Sequence, residues 1–145
     1  MKVVIQRVIK SSVSINNEEV AKIGKGFLIL LGISKDDNLE KADYIIKKIY
    51  NLRVFSDEND KMNLSIQDIN GELLIVSQFT LYADCKKGNR PSFINAAPPE
   101  EAEKIYEYFI NECKKNNLKV ETGEFGADMK VELINDGPVT IILEN

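Results

Sequence analysis

Seven consecutive residues, Phe27-Leu28-Ile29-Leu30-Leu31-Gly32-Ile33, contain no polar side chain. A run of this length and composition predicts a strand that is buried on both faces, as at the centre of a sheet. Before it, Gly24-Lys25-Gly26 interrupts the pattern, and a short strand through Val20 and Ile23 precedes that break. Residues 1–15 alternate between apolar and polar and predict one or two further strands, followed by a turn at residues 16–19.

The apolar period changes to that of a helix after Asp37, and a second helix is predicted to open at Pro98-Pro99-Glu100-Glu101. The first helix has its apolar stripe at Leu39, Ala42, Ile45, Ile46, Ile49 and Leu52. The second has its stripe at Ala102, Ile105, Phe109 and Cys113, and Asn116-Asn117 ends it. Acidic residues open both helices, where they complement the positive end of the helix dipole. Cys113 is therefore predicted to be a core residue and not a nucleophile.

The remaining segments complete a strand-rich pattern. Residues 54–70 are predicted to be mostly loop, residues 72–81 a strand, and residues 83–97 irregular. Three final strands are predicted near residues 119–124, 129–134 and 139–143. We find no internal repeat or linker. The sequence predicts one mixed α/β domain over residues 1–145, rich in strands and flanked by two amphipathic helices.

Composition limits the class of protein. The chain has 145 residues, 43% of them hydrophobic and 29% charged, which is typical of a globular domain with a sizeable core. No apolar run could span a bilayer, and the N-terminus lacks a signal-peptide pattern, so we expect a cytoplasmic protein. Two cysteines, Cys85 and Cys113, are too few for a disulfide scaffold.

The net charge of −4 argues against broad non-specific binding of nucleic acid, which requires a basic face. Two local basic clusters remain in the sequence. One comprises Lys86, Lys87 and Arg90, and the other comprises Lys2, Arg7 and Lys10. On charge alone, we interpret both clusters as solvated surface.

Two short segments combine small polar residues with the predicted ends of apolar strands. They are Ser77-Gln78-Phe79-Thr80-Leu81 and Asn135-Asp136-Gly137-Pro138-Val139-Thr140. For the first, ordinary alternation at the edge of a strand competes with an oxyanion site made of free backbone N–H groups. For the second, a tight turn between two strands competes with a rigid pair of carbonyls that receives a ligand ammonium.

The absence of histidine excludes most familiar catalytic arrangements. A Ser-His-Asp or Cys-His site cannot form, and two cysteines far apart are poor zinc ligands. No glycine-rich phosphate-binding motif is present. We therefore expect neither a metal nor a cofactor. Thr80 is a candidate nucleophile, but no base that could activate it is visible in the sequence.

Taken together, motifs distributed over the whole chain resemble the D-aminoacyl-tRNA deacylase family, also called D-tyrosyl-tRNA deacylases. The motifs are Gln6-Arg7-Val8, the strand end at Gly32, Phe55-Ser56-Asp57, Lys61-Met62-Asn63, Ser77 to Leu81, Gly88 with Arg90-Pro91-Ser92-Phe93, Ala127-Asp128-Met129, and Asn135 to Thr140. Lys10-Ser11-Ser12 is more polar than the corresponding stretch often is, and this departure affects none of the key positions.

The resemblance implies a fold, an activity and a site. The family fold is a small, barrel-like β domain with flanking helices that forms homodimers. Its members hydrolyse the ester that joins a D-amino acid, or glycine, to the 3′-terminal adenosine of tRNA. By this resemblance, the catalytic residues are Ser77, Gln78, Phe79 and Thr80. Gly137 and Pro138, as a cis pair, serve the pocket of the other subunit, Arg7 holds that pair, and Met129 lines the pocket.

The resemblance also suggests how a chain without histidine cleaves an ester. The ribose 2′-hydroxyl of the substrate assists the attack, so the protein has only to position the ester and stabilise charge. We prefer this route to a covalent Thr80 intermediate. Carbonyls of Gly137 and Pro138 would hold the substrate ammonium, so that an L side chain clashes with the Gly-Pro backbone. Lys86, Lys87 and Arg90 would contribute a few phosphate contacts.

Two other hypotheses stay open on the sequence alone. One is a nucleic-acid-binding protein without catalytic activity, against which the acidic charge counts. The other is a purely structural dimer module, in which both polar segments are turns.

Overall fold

The computed structural model describes all 145 residues and has eight strands, two α-helices and one 3-10 helix. The strands are β1 (Lys2–Ile15), β2 (Glu18–Ile23), β3 (Gly26–Gly32), β4 (Phe55–Ser56), β5 (Met62–Leu64), β6 (Glu72–Ser77), β7 (Val120–Thr122) and β8 (Lys130–Glu144). The helices are α1 (Leu39–Asn51), the 3-10 helix (Phe79–Tyr82) and α2 (Pro99–Lys114). This confirms the predicted mixed, strand-rich α/β fold. Neither α-helix combines the length and the apolar character that a bilayer crossing requires.

Strand β3 lies at the centre of the main sheet, as its apolar sequence predicts. It pairs antiparallel with β1 on one side and parallel with β6 on the other, and β7 extends the sheet beyond β6. Strand β1 is one continuous strand that also pairs with β2 and β8. Both faces of β3 are buried: Phe27 and Ile29 belong to one hydrophobic cluster, and Leu28 belongs to another.

The first cluster fills the space between the sheet and the two helices, and Ile45, Phe55 and Phe109 are among its fully buried members. The second, smaller cluster lies on the opposite face of the sheet. There Val131 of β8 packs with a group that includes Val76 of β6, although these two strands are not neighbours in the sheet. The sheet therefore curls into a nearly closed barrel around this second cluster.

The two helices pack against the sheet largely along the predicted stripes. Asn38 caps α1 by accepting a hydrogen bond from the Lys41 N–H at 3.0 Å. In α2, Ala102 and Phe109 are buried as predicted, whereas Ile105 is only half-buried and its neighbour Tyr106 is buried. Cys113 is fully buried, as predicted, and burial raises the pKa of its thiol to about 12, which rules out a reactive thiolate near neutral pH.

Residues 54–70 are mostly loop, as predicted, and contain one short hairpin formed by β4 and β5. One local prediction between α1 and α2 was wrong. The strand predicted over residues 72–81 ends at Ser77, where its pairing with β3 stops. After Ser77, Leu81 N–H donates to the Gln78 carbonyl at 3.3 Å, and Ala83 N–H donates to the Thr80 carbonyl at 3.0 Å. These bonds close the 3-10 helix in place of a longer strand.

The tight turn considered for Asn135 to Thr140 is also wrong, and so is the division of residues 129–143 into two strands. Residues on both sides of this segment pair antiparallel with β1, so the chain does not reverse. Asn135 lies opposite Val8 and Thr140 lies opposite Gln6. Residues 136–139 therefore face the single residue Arg7 and form a large bulge within β8. The Gly137–Pro138 peptide bond in this bulge is cis.

Candidate active site

A cavity of about 620 Å³ opens where the parallel strands β3 and β6 end. Ser77, Gln78, Phe79 and Met129, four of the predicted site residues, line it. Phe79 is 57% exposed and forms part of the rim. The other lining residues are Leu31, Ile33, Val76, Phe93, Ala96, Ala97, Pro99, Ala102, Phe125, Gly126, Ala127, Asp128 and Val131. Its size is within the usual range of small-molecule sites.

Gly32, at the end of β3, allows the 3-10 helix to approach the sheet closely. A Cβ on this residue would lie 3.0 Å from the Leu81 Cβ and 3.1 Å from the Gln78 carbonyl oxygen. The Gln78 N–H also donates to the Leu31 carbonyl at 2.8 Å. These contacts fix the segment that carries Gln78 and Phe79 against the end of β3.

The start of the 3-10 helix provides free hydrogen-bond donors at the cavity rim. Phe79 and Thr80 are its first two residues, so their N–H groups have no acceptor within the helix. Neither N–H donates to a side chain. Free N–H groups at the edge of an apolar cavity are suited to stabilising a developing oxyanion.

Thr80 itself does not line the cavity, although it lies next to residues that do. Its hydroxyl is hydrogen-bonded to the side-chain amide of Gln78. An amide is a far weaker base than the groups that activate hydroxyl nucleophiles, whichever way it is oriented. The structure therefore provides no activation for a Thr80 nucleophile.

Two aromatic residues, Phe93 and Phe125, complete the cavity, and neither was among the predicted site residues. Phe93 lies edge-on to Phe79, with ring centroids 5.0 Å apart. Phe125 lines the cavity from the loop before β8. An aromatic residue between two glycines, Gly123 and Gly126, was the available sequence signal for Phe125.

Met129 is placed in the cavity wall by close packing over a glycine. A Cβ on Gly123 would clash with the Met129 sulfur, so Met129 can occupy this position only while residue 123 has no side chain. Asp128 is the one charged residue in the lining, and its carboxylate oxygens lie 2.8 and 3.0 Å from Lys130 Nζ. The interior thus offers mainly apolar contact.

The bulge of residues 136–139 is braced from both sides. Arg7 is buried beneath it, where its Nε donates to the Asp136 carbonyl at 2.8 Å and its Nη1 donates to the Val54 carbonyl at 2.5 Å. Asn135 closes the base: its Oδ1 accepts from the Val139 N–H at 2.7 Å, and its Nδ2 donates to the Val139 carbonyl at 3.2 Å.

Gly137 occupies a position that a larger residue fits poorly. Its φ of +139° is rarely adopted by residues with a side chain, and a Cβ would lie 2.8 Å from Val139 Cγ2 and 3.1 Å from an Arg7 guanidinium nitrogen. Neither Gly137, Pro138 nor Arg7 lines the cavity of its own chain. The predicted site residues thus fall into two groups, one at the cavity and one at the bulge.

Comparisons with known proteins match this chain over almost its whole length. The profile of the D-Tyr-tRNA(Tyr) deacylase family matches residues 4–144. The chain belongs to this family. The prediction of an enzyme of this kind, a hydrolase acting on ester bonds, is thereby confirmed at the level of the family.

Similar proteins cover the chain from end to end. A D-aminoacyl-tRNA deacylase of Thermosipho africanus is 61% identical over 145 residues, which are 100% of this chain and 97% of that protein. One of Clostridium botulinum is 60% identical, with the same coverage. The solved structure of a c-Myc DNA unwinding element binding protein is 44% identical, with a TM-score of 0.95, and the match covers 100% of this chain and 99% of that one.

The fold is shared by a more distant structure. A probable eukaryotic D-amino acid tRNA deacylase superposes with a TM-score of 0.84 at 16% identity, covering 98% of this chain and 97% of that one. At this identity the likeness concerns the fold alone.

Proposed function

We propose that this chain hydrolyses the ester that joins a D-amino acid to the 3′-terminal adenosine of tRNA. The observation that carries the proposal is the apolar cavity with free N–H groups at its rim, in a chain 61% identical to a D-aminoacyl-tRNA deacylase. Water is added across the ester, and a free D-amino acid and tRNA are released. We propose further that residues 1–145 act as one domain, in the cytoplasm, without a metal or a cofactor.

In this reaction the protein contributes position and charge stabilisation. The ester carbonyl lies at the rim formed by Ser77, Gln78 and Phe79, and the N–H groups of Phe79 and Thr80 stabilise the oxyanion of the tetrahedral intermediate. One such donor commonly contributes about 100-fold to 1,000-fold in rate. The apolar wall that includes Met129 and Phe125 excludes water other than the attacking molecule.

The substrate provides the assistance that the protein lacks. No residue of the cavity lining is a histidine, lysine or cysteine, and the Thr80 hydroxyl is engaged with the Gln78 amide. The 2′-hydroxyl of the terminal ribose is adjacent to the ester, and its effective concentration there is very high. We propose that it assists the attack of water, and that Thr80 holds Gln78 in place.

We propose that selection of D over L esters requires a second copy of the chain. The bulge is braced by Arg7 and Asn135, but Gly137 and Pro138 do not line their own cavity. We propose a homodimer in which these two residues enter the cavity of the partner subunit, where their carbonyls accept hydrogen bonds from the substrate ammonium.

Steric rejection then sets the specificity. With the ammonium and the ester both held, a D side chain points away from the Gly137-Pro138 backbone and an L side chain points into it. Glycine has no side chain and passes this filter, so glycine mischarged on tRNA-Ala is a second proposed substrate. Because the filter rejects by shape, it distinguishes little between different D-amino acids.

One observation favours a second candidate function. The protein that is 44% identical and superposes with a TM-score of 0.95 is named for binding a DNA unwinding element. Nucleic-acid binding without catalysis is the corresponding alternative for this chain. The net charge of −4 counts against it as a general property.

The deciding assay compares deacylation of matched D-tyrosyl-tRNA and L-tyrosyl-tRNA by the purified protein. We expect the D ester to be cleaved at least about 100-fold faster, the ratio that follows from roughly 2.7 kcal/mol of steric exclusion. Salt-sensitive binding without cleavage would support the nucleic-acid-binding alternative. The absence of both RNA binding and ester cleavage would indicate a structural module.

A further inference from the structure

The loop between the 3-10 helix and α2 carries three cations and leads directly into Phe93, which lines the cavity. Asp84 and Ser92 close its base with two backbone hydrogen bonds, of 2.8 and 2.9 Å, and residues 85–91 form the tip. The tip contains Lys86, Lys87 and Arg90, all exposed. We call residues 84–92 the basic loop.

Both ends of the basic loop connect to the cavity wall. The chain enters the loop from the 3-10 helix that begins with Phe79, and it leaves through Phe93, whose ring packs edge-on against that of Phe79. Ala96 and Ala97, a few residues further on, also line the cavity. The basic loop is thus flanked on both sides along the chain by residues that line the cavity.

The three cations of the loop are unpaired. None of them forms a salt bridge, and the nearest carboxylate in sequence, that of Asp84, accepts from the backbone N–H of Lys86 at 2.9 Å. A cluster of unpaired positive charge in a chain of net charge −4 identifies a local site for an anion, because it contrasts with the field of the rest of the surface.

The second basic cluster of the sequence does not offer such a site. Lys2 Nζ lies 3.3 Å from Glu144 Oε1, and Arg7 is buried with its donors directed to carbonyls beneath the bulge. Of that cluster, only Lys10 remains exposed without a partner. The structure therefore distinguishes two clusters that are equivalent in the sequence.

We propose that the basic loop binds the backbone phosphates of the single-stranded 3′ end of the RNA substrate, next to the ester. This inference rests on the proposed function, which places that end of the RNA in the cavity. A nucleotide chain leaving the cavity passes the rim, where Lys86, Lys87 and Arg90 neutralise its phosphates. The contacts are to backbone and carry no sequence information.

The test uses the triple variant Lys86→Gln, Lys87→Gln, Arg90→Gln. We expect KM for D-tyrosyl-tRNA to rise about tenfold to a hundredfold near 0.1 M salt, with kcat unchanged. The slope of log(1/KM) against log salt should become shallower by about 2, because each single-strand phosphate contact contributes about 0.7. Cleavage of D-tyrosyl-adenosine, which has no phosphate, should stay unchanged.

A matched control removes the same charge elsewhere: Lys47→Gln, Lys104→Gln, Lys114→Gln, three exposed lysines of α1 and α2 without salt bridges. It should keep the wild-type KM and salt slope. An unchanged slope in the loop variant, or an equal change in the control, would overturn the proposal. Thermal melts of both variants check that the fold is retained.

A binding measurement separates this proposal from the proposed function. The probe is a fluorescent RNA hairpin with a single-stranded 3′ overhang, compared with the same hairpin without the overhang. We expect the overhang to strengthen binding to the wild type and not to the loop variant, whether or not an ester is cleaved. Equal binding of both hairpins to the wild type would contradict the assignment. If the wild type binds the overhang but cleaves no ester, only the proposed function is contradicted.

Discussion

The strand end at Ser77–Thr80 and the bulge at residues 136–139 both interrupt a strand, but they do so differently. At the strand end, pairing stops, the chain turns into a 3-10 helix, and free donors lie beside a cavity. At the bulge, pairing resumes with the same partner strand, and Arg7 and Asn135 fasten the extra residues. The first region lines a cavity of its own chain, whereas the second does not line that cavity.

This difference suggests a division of labour. We propose that the ester reacts at the strand end and that the shape of the bulge rejects the wrong stereoisomer. Mutations at the strand end should therefore lower the reaction rate. Mutations at the bulge should instead reduce the selectivity for D over L esters or weaken dimer assembly.

The largest effect is expected at Arg7. Replacing it by Met removes the buried donors to the Asp136 and Val54 carbonyls, and we expect a loss of about 3 kcal/mol in the free energy of unfolding, with loss of activity. Urea unfolding measures the stability, and a deacylation assay measures the activity. Lys10→Met, on the same strand but exposed and without a partner, should change neither. An Arg7→Met protein with wild-type stability would show that the bulge does not depend on this brace.

The next effect is expected at Gly137. Gly137→Ala combines an unfavourable φ with contacts of 2.8 to 3.1 Å, so the bulge must shift. We expect about a 100-fold loss in kcat/KM for D-tyrosyl-tRNA, with only about 1–2 kcal/mol lost in stability. Gly24→Ala, away from the bulge and the cavity and with the nearest atom to its Cβ at 3.9 Å, should keep its activity. Comparable activity losses in both variants would show that the bulge has no special role in activity.

A smaller effect is expected at Gly32, which supports the strand end. Gly32→Ala pushes against the Gln78 carbonyl and Leu81, and we expect kcat to fall about tenfold while KM changes little, because the donors lose alignment. Gly24→Ala is the matched control, since the nearest atom to its Cβ would be 3.9 Å away. Steady-state kinetics on both variants makes the comparison. Equal kcat values would mean that the 3-10 helix tolerates the shift.

The smallest effect is expected at Thr80. Thr80→Val removes the hydroxyl that bonds to Gln78 but keeps the shape, and we expect kcat to remain within about threefold of wild type, because nothing activates this hydroxyl. Single-turnover kinetics gives the rate, and mass spectrometry of the quenched reaction detects any acyl-Thr80. A trapped acyl-enzyme, or a loss of about 1,000-fold, would establish Thr80 as the nucleophile.

The sequence predicted the elements whose pattern is local. The apolar run of Phe27–Ile33, the two amphipathic helices and the burial of Cys113 depend on periodicities within short windows, and the structure contains all of them. The mistakes came where the outcome depends on distant partners. Asn135 to Thr140 has the composition of a turn, and only the pairing of both flanks with β1 makes it a bulge.

The candidate site shows the same limit. Ser77, Gln78 and Phe79 stand out in the sequence as a strand end, but their cavity is completed by Phe93 and Phe125 from distant segments. Thr80 is adjacent in sequence to the lining residues and yet lies outside the cavity, because the 3-10 helix rotates successive side chains away from one face. Proximity along the chain thus did not distinguish lining residues from their neighbours.

In the proposed dimer, the cavity of one subunit works with the bulge of its partner. The direct test co-expresses two defective chains: Gly137→Ala, with a damaged bulge, and Ala127→Trp, with a blocked cavity. In random dimers, half are mixed, and each mixed dimer holds one intact composite site. Mixing should therefore restore about a quarter of wild-type D-tyrosyl-tRNA deacylation. If the mixture stays as inactive as either variant alone, while mixed dimers are present, the bulge acts within its own chain or not at all.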